Sequence, residues 1–185
     1  DELTDKDFAH WCMLCGKVTD EAATGLLPIY QWQRAQQWFT EHGTAEEQAQ
    51  IDLYLGRAYV EDGEYDKAMQ IYADALQLAK EHQAYNVAGY ICAYMADLYG
   101  FRDITSECLK KREEACEFFK KAENYKSYAY SLKDLAGEWA ILDSFACTIP
   151  LLQKADSISQ LLHNKNLTAA IANAFALIYE MQGKY

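Results

Sequence analysis

Leu55-Gly56-Arg57-Ala58-Tyr59 is followed closely by Gly63-Glu64-Tyr65-Asp66-Lys67-Ala68, and then by Tyr72 and Ala75. Apolar residues recur here at intervals of three and four: Leu55, Ala58, Tyr59, then Ala68, Ile71, Tyr72, Ala75, Leu78. That spacing lays them along one face of a helix, twice over. Between the two runs, the segment from Glu61 to Tyr65 is polar and carries a glycine. Glycine can take φ > 0 at that point and end the first helix. The stretch reads as helix, short turn, helix.

The same pattern recurs outward in steps of 40 residues. One column holds Gly16, Gly56, Ala96, Ala136 and Ala176, all of the two smallest types. A second holds Ala35, Ala75, Ala115 and Ala155, and a third runs Thr19, Tyr59, Tyr99, Trp139, Tyr179. Two more are apolar throughout: Cys15, Leu55, Met95, Leu135, Phe175, and Ile29, Met69, Leu109, Ile149. Small residues at Gly56 and Ala75 let helix backbones approach closely, with Tyr59 expected to fill the space beside them. A single hairpin cannot bury its own face, whereas stacked neighbours can, which predicts an all-α solenoid.

The run from Leu55 to Ala75 resembles the tetratricopeptide repeat (TPR). Units of that family are usually about 34 residues, so this chain carries about six more in each, as in the family's extended forms. The resemblance implies a right-handed α-solenoid of stacked antiparallel helix pairs, spanning 1–185 as a single domain. In this frame the units are 9–48, 49–88, 89–128 and 129–168, with a partial unit at 169–185. Gly183-Lys184-Tyr185 falls in register with Gly63-Glu64-Tyr65, so the last unit stops where a second helix begins. The expectation is that the native protein continues. An irregular first hairpin followed by a near-consensus one is similar to the repeat regions of Bacteroidetes-type envelope lipoproteins and membrane-linked regulators. That similarity implies a sensory or assembly role in a bacterial cell envelope, periplasmic or lipid-anchored.

Composition narrows the function classes. A net charge of −11 repels a polyanion, so nucleic-acid binding through this segment is not expected. No apolar run approaches the roughly 20 residues that a spanning helix requires, so direct membrane insertion is not expected either. No Gly-rich phosphate loop, Gly-x-Ser-x-Gly elbow or His-Glu-x-x-His pair is present. The sequence therefore predicts a protein that is not an enzyme and holds no cofactor and no metal.

Trp11-Cys12-Met13-Leu14-Cys15 supplies the competing reading, a thiol redox or metal pair at Cys12 and Cys15. No strand pattern precedes it, and no second pair at metal spacing follows. Both cysteines fall in repeat columns, Cys15 with Leu55 and Met95, and Cys12 with Cys92 and Leu132, which predicts core positions. His42 and His82 share a column at a second-helix end, where an imidazole suits the negative pole. Glu46-Glu47 and Glu113-Glu114 are adjacent pairs and read as solvated faces.

In the TPR family the first helices of successive units line a concave groove that takes peptides. Carried over by register, the exposed first-helix residues are Lys17, Tyr54, Arg57, Tyr90, Tyr94, Asp97, Tyr130 and Lys133. Tyrosine offers large contact area and a hydroxyl at low entropy cost. The family's two-carboxylate clamp is not expected, because Gly137 stands one turn after Lys133. The expected function is a protein-interaction scaffold or sensory module binding a protein or peptide. A self-associating spacer, forming a homodimer, is the remaining alternative.

Overall fold

The computed structural model describes residues 3–22 and 27–183, the side chains of 19–22 aside. Among them are nine helices and no strand: α1 (Asp5–Ala22), α2 (Ile29–His42), α3 (Ala45–Glu61), α4 (Tyr65–Glu81), α5 (Tyr85–Phe101), α6 (Thr105–Lys121), α7 (Tyr125–Ile141), α8 (Phe145–Leu161) and α9 (Lys165–Met181). Lys184 and Tyr185, on which the reading of a truncated last hairpin depends, lie outside the described residues.

The backbone repeats at half the period of the sequence. Every helix from α3 to α9 has 17 residues. Each is followed by a residue in the left-handed region: Gly63, Gln83, Asp103, Glu123, Asp143, His163 and Gly183. At each of the first six turns the amide after that residue reaches back across the last helical turn. Glu64 N donates to Tyr59 O (2.8 Å), Ala84 N to Ala79 O (2.9 Å), and so on to Asn164 N and Ser159 O (3.2 Å). These are Schellman caps, which satisfy the carbonyls left open at a helix end. Helix starts are fixed less uniformly. Thr44 and Glu47 form a capping box at α3, and the Oδ1 atoms of Asn124 and Asn164 accept from Ser127 N and Leu167 N. In this frame the hairpins begin at Ala45, Tyr85 and Tyr125.

Consecutive helices pack as antiparallel neighbours, and odd-numbered helices also touch the next odd one: α1 with α3, α3 with α5, α7 with α9. One continuous buried cluster runs from Ala9 in α1 to Ile171 in α9. The small-residue column is what allows the close approach, although its partner differs from the sequence expectation. A Cβ at Gly56 would lie 2.3 Å from the Tyr72 ring, and one at Gly16 would lie 2.4 Å from the Tyr54 ring. Tyr72, from the second helix of the pair, fills the space beside Gly56. Tyr59 is instead half-buried, with its hydroxyl accepting from Gln33 Nε2 at 2.9 Å.

Two acidic residues read as solvated have structural roles. Glu47 closes the capping box by accepting from Thr44 N at 2.8 Å. Glu114 accepts from Lys80 at 3.3 Å and Lys111 at 2.9 Å, joining α4 to α6. Among the described residues no helix is long and apolar enough to cross a membrane.

Candidate partner-binding groove

The odd-numbered helices run side by side along one face, and their exposed edges enclose a groove of about 1120 Å³. Its rim at the helix N-termini carries Glu46, Asn86 and Lys126, one per repeat, followed by Asn166 on α9. One helical turn further along stand Gln50, Tyr90 and Tyr130, and beyond them Tyr54, Tyr94 and Asp134. This layout follows from the repeat, because residues 40 apart occupy equivalent places on parallel helices.

Six of the eight residues singled out from the sequence line this groove: Lys17, Tyr54, Tyr90, Tyr94, Asp97 and Tyr130. They differ in how they sit there. Tyr90 is half-buried, its hydroxyl 2.8 Å from Ser127 Oγ and its ring edge-on to Phe119. Tyr94 stacks on Tyr72 with centroids 6.3 Å apart, and the Arg57 guanidinium lies 5.0 Å over its ring. Tyr54 corrects the reading of an exposed residue, since it is 1% exposed. The bare backbone at Gly16 admits its ring, which also packs on Trp32 at 5.4 Å. Arg57 and Lys133 are not on the groove lining. Arg57 is committed to Tyr94, and Lys133 pairs with Asp134 beside it.

The groove floor also receives side chains from the even helices, which the register alone did not indicate. Arg112 and Phe119 of α6 line it, and Arg112 shares a column of the second helices with Trp32, Tyr72 and Leu152. Trp32 packs on Tyr54 with the rings tilted, and Tyr72 stacks on Tyr94. One repeat later an ionic cluster replaces the aromatic stack. Arg112 Nη2 donates to Asp97 Oδ1 at 2.7 Å, its Nε stands 3.6 Å from Glu138 Oε1, and Asp134 adds a further negative charge nearby. Arg112 thus faces three carboxylates, of which Asp134 is also paired with Lys133. Burial raises the Asp97 carboxyl above its usual range despite the guanidinium. The sequence signal for this cluster was Arg112 standing at a position held elsewhere by Trp, Tyr and Leu.

The surroundings of Cys12 and Cys15 work against thiolate chemistry. Cys12 is fully buried, its Sγ 3.9 Å from Gln31 O, and burial pushes its thiol up to about 12. Burial also raises Cys15. A redox or metal-binding cysteine requires the opposite shift, towards the thiolate. Among the described residues no group of three or more His, Cys, Asp or Glu side chains gathers as metal ligands do. His42 caps its own helix end, its Nδ1 3.0 Å from Trp38 O and its ring stacked on Trp38.

No protein-family model and no curated protein sequence matches the chain. Solved structures do. BtubC (BKLC) from P. vanneervenii is similar with a TM-score of 0.65 at 13% identity, over 88% of this chain and 67% of that one. A kinesin light chain-like protein from Podosopora anserina, with nearly identical TPR-like repeats, gives 0.66 at 14% identity over 97% and 86%. A variant of the same protein gives 0.67 at 14% identity over 97% and 85%. At these identities the likeness speaks to the fold, and the fold is TPR-like: a right-handed α-solenoid of antiparallel helix pairs.

Proposed function

We propose that the chain is a protein-interaction scaffold that holds a peptide or extended partner segment across its odd-numbered helices. The carrying observation is the composition of the groove. Half-buried tyrosines alternate with amides and hydroxyls, as at Asn86, Tyr90, Ser127 and Tyr130, over a space of about 1120 Å³. Aromatic faces supply area, while amides and hydroxyls match the donors and acceptors of an extended backbone. A volume of this size exceeds the usual range for a small ligand. Two further observations support binding over catalysis: burial raises the Cys12 and Cys92 thiols, and the half-buried Arg112 is engaged by carboxylates.

The test is selection of a displayed random-peptide library on the full chain, followed by binding measurements on variants. Tyr130→Ala should weaken the selected peptides about tenfold or more, as truncating an interface aromatic does. Tyr90→Phe keeps the packing on Phe119 and removes only the hydroxyl, so it should cost less. Peptides that bind the Tyr130→Ala variant as tightly as the parent would overturn the assignment of the groove.

A further inference from the structure

A second cleft, of about 440 Å³, lies away from the groove where α6, α7 and α8 come together. Tyr125, Tyr128, Ile158, Leu161 and Leu162 form its walls, and Lys120 and Lys154 stand at its edge. Its meaning comes from comparing it with the equivalent place one repeat earlier.

Subtracting 40 from Lys120, Tyr125, Lys154 and Ile158 gives Lys80, Tyr85, Glu114 and Phe118. In that earlier repeat the place is closed. Phe118 is buried and stacks on Tyr85 with centroids 6.2 Å apart. Lys80 is paired with Glu114 at 3.3 Å, and its ammonium also lies 5.5 Å over the Phe118 ring. In the later repeat both fillings are missing. Ile158 replaces the aromatic plug with a smaller side chain, leaving Leu161 80% exposed and Tyr125 about half exposed. Lys154 replaces the carboxylate, so two lysines, Lys120 and Lys154, line the cleft. Among the described residues neither lysine has a carboxylate partner, and Lys154 instead lies 5.2 Å over the Tyr128 ring. Two unpaired ammoniums beside one apolar cleft stand out in a chain of net charge −11, where carboxylates outnumber cations 28 to 17.

We propose that this cleft binds a small amphiphilic carboxylate. The acid group takes the place that Glu114 holds beside Lys80, between Lys120 and Lys154. The apolar or aromatic body takes the place of the Phe118 ring, against Tyr125, Tyr128 and Ile158. A carboxylate held by two ammoniums makes charge-assisted hydrogen bonds, and the body removes apolar wall from water. The cleft volume falls within the range of small-molecule sites. This site is independent of the groove and of the peptide reading.

The experiment is calorimetric titration of the full chain with decanoate, and with decanol as the uncharged control. Decanoate should bind at one site, with decanol about tenfold weaker or more. Lys154→Glu restores the pairing of the earlier repeat on an exposed helix position and should weaken decanoate by about tenfold or more, with helicity unchanged. Ile158→Phe restores the plug and should abolish binding of both. The proposal is overturned if the parent chain does not bind decanoate. Decanol binding as tightly as decanoate, or Lys154→Glu binding decanoate like the parent, overturns it equally.

Discussion

The Tyr72 ring lies on Gly56 so closely that a Cβ there would stand 2.3 Å from Cε1. Gly137, also inside a first helix, has open space where its Cβ would be. The two positions therefore respond oppositely to the same change. Gly56→Ala forces a buried ring to move and should cost about 1–3 kcal/mol. Gly137→Ala meets nothing and gains helix propensity, so it should stabilise by about 0.5–1 kcal/mol. Denaturant melts of the two variants check this, and a Gly56→Ala chain as stable as the parent would contradict the packing described.

The left-handed residues at the helix ends carry a second prediction. Gln83 (φ 57°) and Glu123 (φ 55°) hold a conformation that glycine adopts freely and side chains resist. Each should therefore be improved by glycine. Gln83→Gly and Glu123→Gly are expected to stabilise by up to about 1 kcal/mol each, less the entropy that glycine adds to the unfolded chain. The turns are far enough apart for the gains to add. A fall in melting temperature for both would show that these turns are not Schellman caps in solution.

Asp52 gives the fold a pH dependence. It occupies a column filled otherwise by Cys12, Cys92 and Leu132, and it is half-buried, with Gln36 Nε2 donating to its Oδ1 at 2.7 Å. Burial pushes its carboxyl up to about 6; the Gln36 bond opposes the shift and Asp74 adds to it. The folded state thus holds a proton that the unfolded chain releases near pH 4. Stability from this group falls as pH rises from about 4 to about 6, and the whole cost stands above that. Asp52→Asn should match the parent near pH 4 and exceed it by about 1–3 kcal/mol at pH 7. Parallel stability curves for the two chains across that interval would rule this out.

The 40-residue period was legible because the two helices of a pair carry different residue columns, small and aromatic ones in the first and an alanine one in the second. The 20-residue backbone step was not, because only Gly63 and Gly183 among its seven left-handed positions are glycine. The groove was read through its tyrosines, and Tyr90, Tyr94 and Tyr130 do line it. Tyr54 was misplaced because its burial depends on a side chain absent at Gly16, some 40 residues away in sequence. Arg112 and Phe119 went unnoticed because helical periodicity says which face turns inward, not how far a long side chain reaches beneath its neighbours. Glu47 and Glu114 look like surface acids until Thr44, Lys80 and Lys111 are placed beside them.

The groove reading meets its sharpest check in amide chemical-shift mapping of the isotopically labelled chain with a library-selected peptide. The expected result is perturbation concentrated along the odd-numbered helices, at Asn86, Tyr90, Lys126 and Tyr130, with α4 and α8 largely unmoved. Perturbations gathered instead on the even-numbered helices would contradict the assignment of the partner site to the groove.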